Sequence, residues 1–286
     1  MRFLRLPIVV LVLGGLVGCT SSTAPDLSGM SFSDEPLVGK LVWHDLITDD
    51  LEVARRFYGD LFGWTFESGK GPQGNDYLLA RHDGIYVAGL VAVAEAAGGP
   101  ELSRWLPYVS VADVDMSVQR CTSGGGRVVA GPVDIRIGRV AAVVDPEGAA
   151  IGLARSRIGD PDDATTAAAP GRVIWSELIA GDDEAAAAFY ETMVGCEVRP
   201  TERRGGRYSM LVSDGRERAG IFANPTDWDS QWITHFGVDD PAAAAERAEE
   251  LGGTVLLAPT PEVREGMIAI VSDPTGAVLV LRRTPA

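Results

Sequence analysis

Hydrophobic and polar positions alternate over residues 41–48 (LVWHDLIT), the two-residue period of a strand with one covered face. From Leu51 the spacing lengthens, and Leu51, Ala54, Phe57, Tyr58 and Leu61 fall on one side of a helix. Asp49 or Asp50 caps its start and Gly63 ends it. Strand-like runs follow at 64–67, 77–81 and 86–93. The order then restarts with a strand at 105–111 and a helix from Asp113 to Thr122. Further strands lie near 127–128, 138–144 and 150–155. The glycines 124–126 follow that helix instead of opening one, so they read as a helix stop and not as a phosphate loop.

The whole pattern occurs twice. VWHDLITDDLEVARRFYGDLFGW at 42–64 returns 132 positions later (175 − 43) as IWSELIAGDDEAAAAFYETMVGC. Trp43 falls on Trp175, Asp50 on Asp182, Phe57-Tyr58 on Phe189-Tyr190 and Gly63 on Gly195. The second halves match as well: Trp105 with Trp232, Asp113 with Asp240, and Asp-Pro-Glu-Gly at 145–148 with Asp-Pro-Thr-Gly at 273–276. Such a repeat sets the domain plan. It predicts domains at 39–158 and 172–283, joined by an Asp/Ala/Thr/Pro-rich linker at 159–171.

The N-terminus reads differently. Arg2 and Arg5, an apolar run at 8–17 and small residues before Cys19 have the layout of a secretory signal over residues 1–18. The run is shorter than the ~20 residues a bilayer span needs. Leu-Val-Gly-Cys at 16–19 resembles the lipobox of bacterial lipoproteins. That likeness implies a lipidated Cys19 and an exported chain anchored to a bacterial cell membrane. An ordinary cleaved signal and an uncleaved anchor are the alternatives. Residues 19–38, rich in Ser, Thr, Asp and Pro, are expected to be a flexible tether.

Charge narrows the partners. The net charge of −15 becomes −17 (−15 − 2) once the two signal arginines are removed. An acidic body without a basic stripe repels nucleic acid and anionic head groups, so the lipid alone would hold the chain to a membrane. Cys121 and Cys196 sit at apolar positions in different repeats and read as buried thiols. Three histidines in all make a multi-histidine metal site hard to build.

The first strand-helix segment, its Phe-Tyr pair and following glycine, and the Asp-Pro-x-Gly turns, in that order and twice over, resemble the vicinal oxygen chelate superfamily. That group includes glyoxalase I, bleomycin resistance proteins and extradiol dioxygenases. The resemblance covers residues 39–283 and implies an α+β fold: paired βαβββ modules forming half-open barrels, two such domains in tandem. It implies a ligand and metal pocket on each concave face. It also places the metal-dependent relatives' three ligands at Trp43, Leu106 and Gly152, and at Trp175, Ile233 and Val280. None of these side chains coordinates a divalent ion, so no metal and no cofactor are expected.

Strand alternation from those positions turns Trp43, Asp45 and Tyr108 into one concavity, and Trp175, Glu177 and His235 into the other. His44 faces the helix side. Glu177 and His235 are the catalytic candidates, because a carboxylate beside an imidazole tunes it for proton transfer. The same two groups equally make a buried pair that only satisfies itself. Trp43, Asp45, Tyr108 and Trp175 are the ligand-binding candidates; the tryptophans either stack on a flat ligand or fill the core. The expected protein is a membrane-tethered glyoxalase-like lipoprotein that binds a small molecule in a metal-free pocket. The alternative is a lyase or dioxygenase-like enzyme using Glu177 and His235, or an atypical metal site built from Asp45, Glu177 or His235.

Overall fold

Each repeat builds one eight-stranded sheet. The computed structural model describes residues 27–71, 75–93, 103–203, 206–225 and 228–285. The signal sequence, Cys19 and the first residues of the expected tether lie outside the described residues.

In the first domain the chain runs β1 (Leu41–Thr48), α1 (Leu51–Phe62), β2 (Thr65–Lys70), β3 (Asp76–His82) and β4 (Ile85–Ala92). Its second module is β5 (Arg104–Ser110), α2 (Val114–Ser123), β6 (Arg127–Ile135), β7 (Gly138–Val144) and β8 (Ala150–Ser156). The sheet order is β2-β3-β4-β1-β5-β8-β7-β6. Within each module the first strand runs parallel to the last, and the modules join where β1 and β5 pair antiparallel, Trp43 opposite Tyr108.

The second domain repeats this with β9 (Val173–Ala180), α3 (Asp183–Tyr190), β10 (Glu197–Arg203), β11 (Gly206–Ser213) and β12 (Arg216–Ala223). Then come β13 (Gln231–Val238), α4 (Pro241–Glu250), β14 (Thr254–Leu257), β15 (Ile268–Ser272) and β16 (Val278–Arg283). The fold is the expected α+β arrangement of paired βαβββ modules. β6 is longer than the strand expected near 127–128, because all but one of its residues are exposed or half-buried.

Local chemistry starts every helix the same way. Asp50, Asp113, Asp182 and Asp240 each accept a hydrogen bond from a backbone N–H of the first turn. Gly63, at φ 72°, closes α1 in the left-handed conformation that favours glycine.

The two faces of each sheet have different neighbours. Ile47, Leu79, Leu106, Ile135 and Val140 pack together within the first domain alone. The opposite face meets the other domain: Phe57, Tyr58 and Trp105 share a core with Phe236, Ala245, Ala248 and Leu279. A second shared core joins Val109, Cys121 and Leu153 to Tyr190, Met193 and Cys196. Both cysteines are therefore buried thiols, pushed up to about 11 by burial.

The landmarks of the repeat turn out to be the clasp between domains. Tyr58 donates to Asp273 Oδ2 at 2.9 Å and Tyr190 donates to Asp145 Oδ2 at 3.0 Å. Trp105 and Trp232 donate in turn to those tyrosine oxygens, at 3.0 and 2.9 Å. Glu147 of the first Asp-Pro-x-Gly turn accepts from the backbone N–H groups of Gly181 and Asp182 at the start of α3. His44 lies on this face too, 3.0 Å from Ser176 Oγ, and burial pushes it down to about 3, so it is neutral.

The described part of the expected tether is not a free spacer. Phe32 bridges to Pro161, Ser33 N–H donates to Asp160 O at 2.9 Å, and Leu37 N–H donates to Asp160 Oδ2 at 2.7 Å. Ser31 N–H donates to Thr165 Oγ1 at 2.8 Å, so segment and linker satisfy one another's backbone groups. Leu27 and Met30 then pack on the first domain's concave core. Composition could not reveal this docking, because the partners lie more than a hundred residues away in the chain.

Candidate functional site

The first concavity is organised around Asp45, which is fully buried on β1. Its Oδ1 accepts from Trp43 Nε1 and from the Tyr77 hydroxyl, each at 2.8 Å. Trp43 Nε1 is also 3.2 Å from the Tyr77 oxygen. Tyr108 closes the group from β5. Its hydroxyl and Asp45 Oδ2 are both buried without a hydrogen-bond partner, yet they stand near enough for the charge of one to disfavour ionisation of the other.

Two glycines make room for these rings. Gly89 pairs with Asp45, and a Cβ there would come within 1.9 Å of the Tyr77 oxygen. Gly152 pairs with Tyr108, and a Cβ there would come within 2.2 Å of the Tyr108 ring. Any side chain at either position would displace the ring that now covers it.

Burial pushes Asp45 up to about 7, against the opposing hydrogen bonds of Tyr77 and Trp43 and the nearby Tyr108 hydroxyl. A carboxyl whose folded value exceeds its unfolded one binds more protons in the folded state. Stability attached to it is therefore lost as pH rises through the window between 3.8 and about 7. Asp45→Asn keeps an acceptor for Trp43 and Tyr77 but cannot ionise. Urea unfolding should show the variant about 2 kcal/mol more stable than the wild type at pH 8 and no more stable at pH 4. An equal difference at both pH values would contradict the assignment.

Above this group lies a cavity with about 800 Å³ of empty space, part of it open to solvent. Trp43, Tyr86, Tyr108, Ile135 and Val140 line it, and Met30 of the N-terminal segment forms part of its wall. The walls are largely apolar and aromatic, with Arg155, Ser156 and Asp160 among the few polar residues on them, as small-molecule sites are built.

The second concavity holds the same positions and a different arrangement. Tyr208 donates to Glu177 Oε1 at 2.6 Å, and Trp175 Nε1 lies 3.2 Å from the Tyr208 oxygen. Arg264 Nη2 reaches both carboxylate oxygens of Glu177, at 2.7 and 2.8 Å. His235 Nε2 is 3.3 Å from Glu177 Oε2. Burial opposes ionisation of Glu177, but His235, Arg264 and Tyr208 together hold it well below the carboxylate range. Burial lowers His235, and the neighbouring Glu177 offsets this only in part. Ile179, Ile233, Ile268 and Val280 pack beside this group.

The side chains that strand alternation turned into each concavity are neighbours there. Trp43, Asp45 and Tyr108 meet in one, and Trp175, Glu177 and His235 in the other. Sequence reasoning missed Tyr77 and Tyr208, which enter from β3 and β11, strands whose facing was not worked out from the first-strand positions. It also missed Arg264. Arg264 and Glu265 have φ of 47° and 58°, a left-handed pair that no propensity predicts. With both Glu177 oxygens engaged by Arg264, the Glu177–His235 pair has the geometry of a satisfied ion-pair group instead of a free acid–base couple.

The residues do not fit the divalent ion that the superfamily resemblance implies. Trp43, Leu106 and Gly152 occupy the three ligand positions, Leu106 is fully buried in the apolar core, and the Tyr108 ring covers Gly152. Trp175, Ile233 and Val280 offer no donor to a hard cation either. Among the described residues no three His, Cys, Asp or Glu side chains gather closely enough to hold a metal.

Comparison with known proteins agrees with the geometry of the fold. Residues 40–153 match the Glyoxalase/Bleomycin resistance protein/Dioxygenase superfamily, and residues 176–281 match the Glyoxalase-like domain. The chain is 36% identical over 250 residues to the putative glyoxylase CFP32 of Mycobacterium tuberculosis, covering 85% of this chain and 94% of that protein. It is 30% identical over 258 residues to the anthracycline biosynthesis protein DnrV of Streptomyces peucetius, covering 84% and 91%. Among solved structures, the Mn(II)-bound glyoxalase of Novosphingobium aromaticivorans superposes with a TM-score of 0.56 at 15% identity over 87% of this chain and 83% of that one. The 2,2',3-trihydroxybiphenyl 1,2-dioxygenase of Sphingomonas wittichii gives 0.57 at 14% identity over 86% and 90%. With two matching domains and relatives at 30% identity or more over most of both chains, this chain belongs to the glyoxalase/bleomycin resistance protein/dioxygenase superfamily as a tandem glyoxalase-like protein.

Proposed function

We propose that the chain is an exported, lipid-anchored glyoxalase-like protein that binds a small, flat, largely apolar molecule in the first domain without a metal. The observation that carries this reading is the cavity over Trp43 and Tyr108, whose aromatic walls suit a planar ligand. The second concavity, with Glu177 neutralised by Arg264 and isoleucines packed around the pair, serves stability in this reading. The name of one relative, an anthracycline biosynthesis protein, supports a flat fused-ring ligand. The Leu-Val-Gly-Cys sequence at 16–19 supports lipid attachment at Cys19.

The test is fluorescence titration with the neutral aromatic probe N-phenyl-1-naphthylamine. Trp43→Ala should weaken binding about tenfold or more, through lost stacking and buried area. Trp175→Ala should leave it unchanged. Loss of binding in the Trp175 variant alone would move the site to the second domain, and no saturable binding by the wild type would end the proposal.

A second reading, catalysis, is favoured by one observation: Asp45 titrates at about 7 beside two tyrosines, a value suited to general acid–base work at neutral pH. Metal analysis of protein purified without chelators separates this from an atypical metal site. One tightly bound divalent ion per domain would overturn the metal-free reading.

A further inference from the structure

A second cavity adjoins the first. It holds about 540 Å³ of empty space and shares Met30, Val42, Trp43, Tyr86 and Pro161 with the larger one, so these side chains stand between the two. Its character differs at the far end. There the wall carries Arg172 with Thr165 and Thr166, and no Asp or Glu lines the cavity.

Arg172 is a cation without a counter-ion. Its Nε is buried with no hydrogen-bond partner, and its guanidinium makes no ion pair among the described residues. Three other buried or half-buried cations do have carboxylate partners: Lys40 and Arg218 share Asp163, and Arg264 holds Glu177. Arg155, on the wall of the larger cavity, also has no ion pair among the described residues, but it donates to Ser156 O at 2.9 Å, whereas no acceptor reaches Arg172 Nε. A desolvated guanidinium donor is unfavourable unless an acceptor reaches it. His44 lines the same space, but its Nε2 is engaged by Ser176 and burial keeps it uncharged, so Arg172 is the single charge on the wall.

We propose that the two cavities form one site for an amphiphilic carboxylate, with its apolar body in the larger cavity against Trp43 and Tyr86 and its head on Arg172. The planar guanidinium fork matches a carboxylate in two-bond geometry. Met30 lines both cavities. This inference rests on the reading that the larger cavity binds a small molecule, and it adds the charge and polarity of that molecule.

The experiment titrates the full chain with cis-parinaric acid, whose fluorescence reports an apolar surrounding, and with its uncharged methyl ester. The wild type should bind the acid at least about tenfold tighter than the ester. Arg172→Gln should reduce the acid to the ester's affinity and leave the ester unchanged, while Arg172→Lys should keep part of the preference. The Arg172 side chain makes no hydrogen bond or ion pair among the described residues, so the thermal midpoint of both variants should match the wild type. Equal binding of acid and ester by the wild type, or a preference that survives Arg172→Gln, overturns the inference. If N-phenyl-1-naphthylamine binds while acid and ester are not distinguished, the apolar cavity stands and the amphiphile falls. If none of the three compounds binds, both fail together.

Discussion

Arg264→Ala should cost about 3 kcal/mol of stability at pH 7, because it leaves a buried carboxylate without its cation. Glu177 is almost wholly buried, and Arg264 reaches both of its oxygens. Only Tyr208 and a neutral His235 would remain beside it. The effect has a pH signature. In the wild type the folded-state value of Glu177 lies below the ordinary 4.5, so its stabilising contribution is present above pH 4.5 and lost as pH falls below it. In the variant, burial acts unopposed by the guanidinium and Glu177 takes up a proton on acidification, while the wild-type protein loses stability below pH 4.5, so the deficit should shrink at pH 3. Urea unfolding at the two pH values measures this, and an undiminished deficit at pH 3 would count against the charge pair as the cause. Arg264→Gly separates charge from backbone strain. Glycine tolerates the φ of 47°, so this variant should recover about 1 kcal/mol relative to alanine.

Tyr58→Phe should cost about 2 kcal/mol, although it removes one oxygen atom from a domain-sized interface. That hydroxyl donates to the buried Asp273 and accepts from Trp105, so its loss leaves an unpaired acceptor and an unpaired donor inside the protein. Tyr190→Phe should do the same to Asp145 and Trp232. The two sites share no hydrogen-bond partner, and the double variant should lose about 4 kcal/mol. Both domains should still unfold in one transition, because each of the two shared cores draws side chains from both of them. Two resolved transitions in the wild type would show that these cores do not couple the domains.

The strand and helix order was legible because each element carries its own period and each helix its own aspartate cap, and both are local properties of the chain. The faces of β1, β5, β9 and β13 were legible for the same reason: Trp43, Asp45 and Tyr108 follow from counting by two. Partners that enter the same concavity from other strands were not. Tyr77 meets Asp45 only because β3 pairs with β4 in one register and Gly89 leaves the space. Arg264 meets Glu177 across 87 positions from a loop in left-handed conformation. The Asp-Pro-x-Gly turns and the Phe-Tyr pairs were visible as repeat markers, but nothing local says that each tyrosine hydroxyl finds the other domain's aspartate.

By itself, the sequence determined the tandem α+β plan, the superfamily and the lack of metal-ligating side chains at that family's positions. These follow from periodicity, capping and residue identity, which survive without knowledge of contacts. The tertiary structure decided which partners each concavity's carboxylate meets. The two began as near-equal repeats with a tryptophan and a carboxylate each. One carboxylate is enclosed by Trp43, Tyr77 and Tyr108 beneath a cavity, and the other is paired with an arginine from far along the chain. The tertiary structure also seated residues 27–38 against the linker and left Arg172 facing an empty space without a counter-ion. Those outcomes depend on side chains brought together from far along the chain, and a burial cost becomes physical only once they have met.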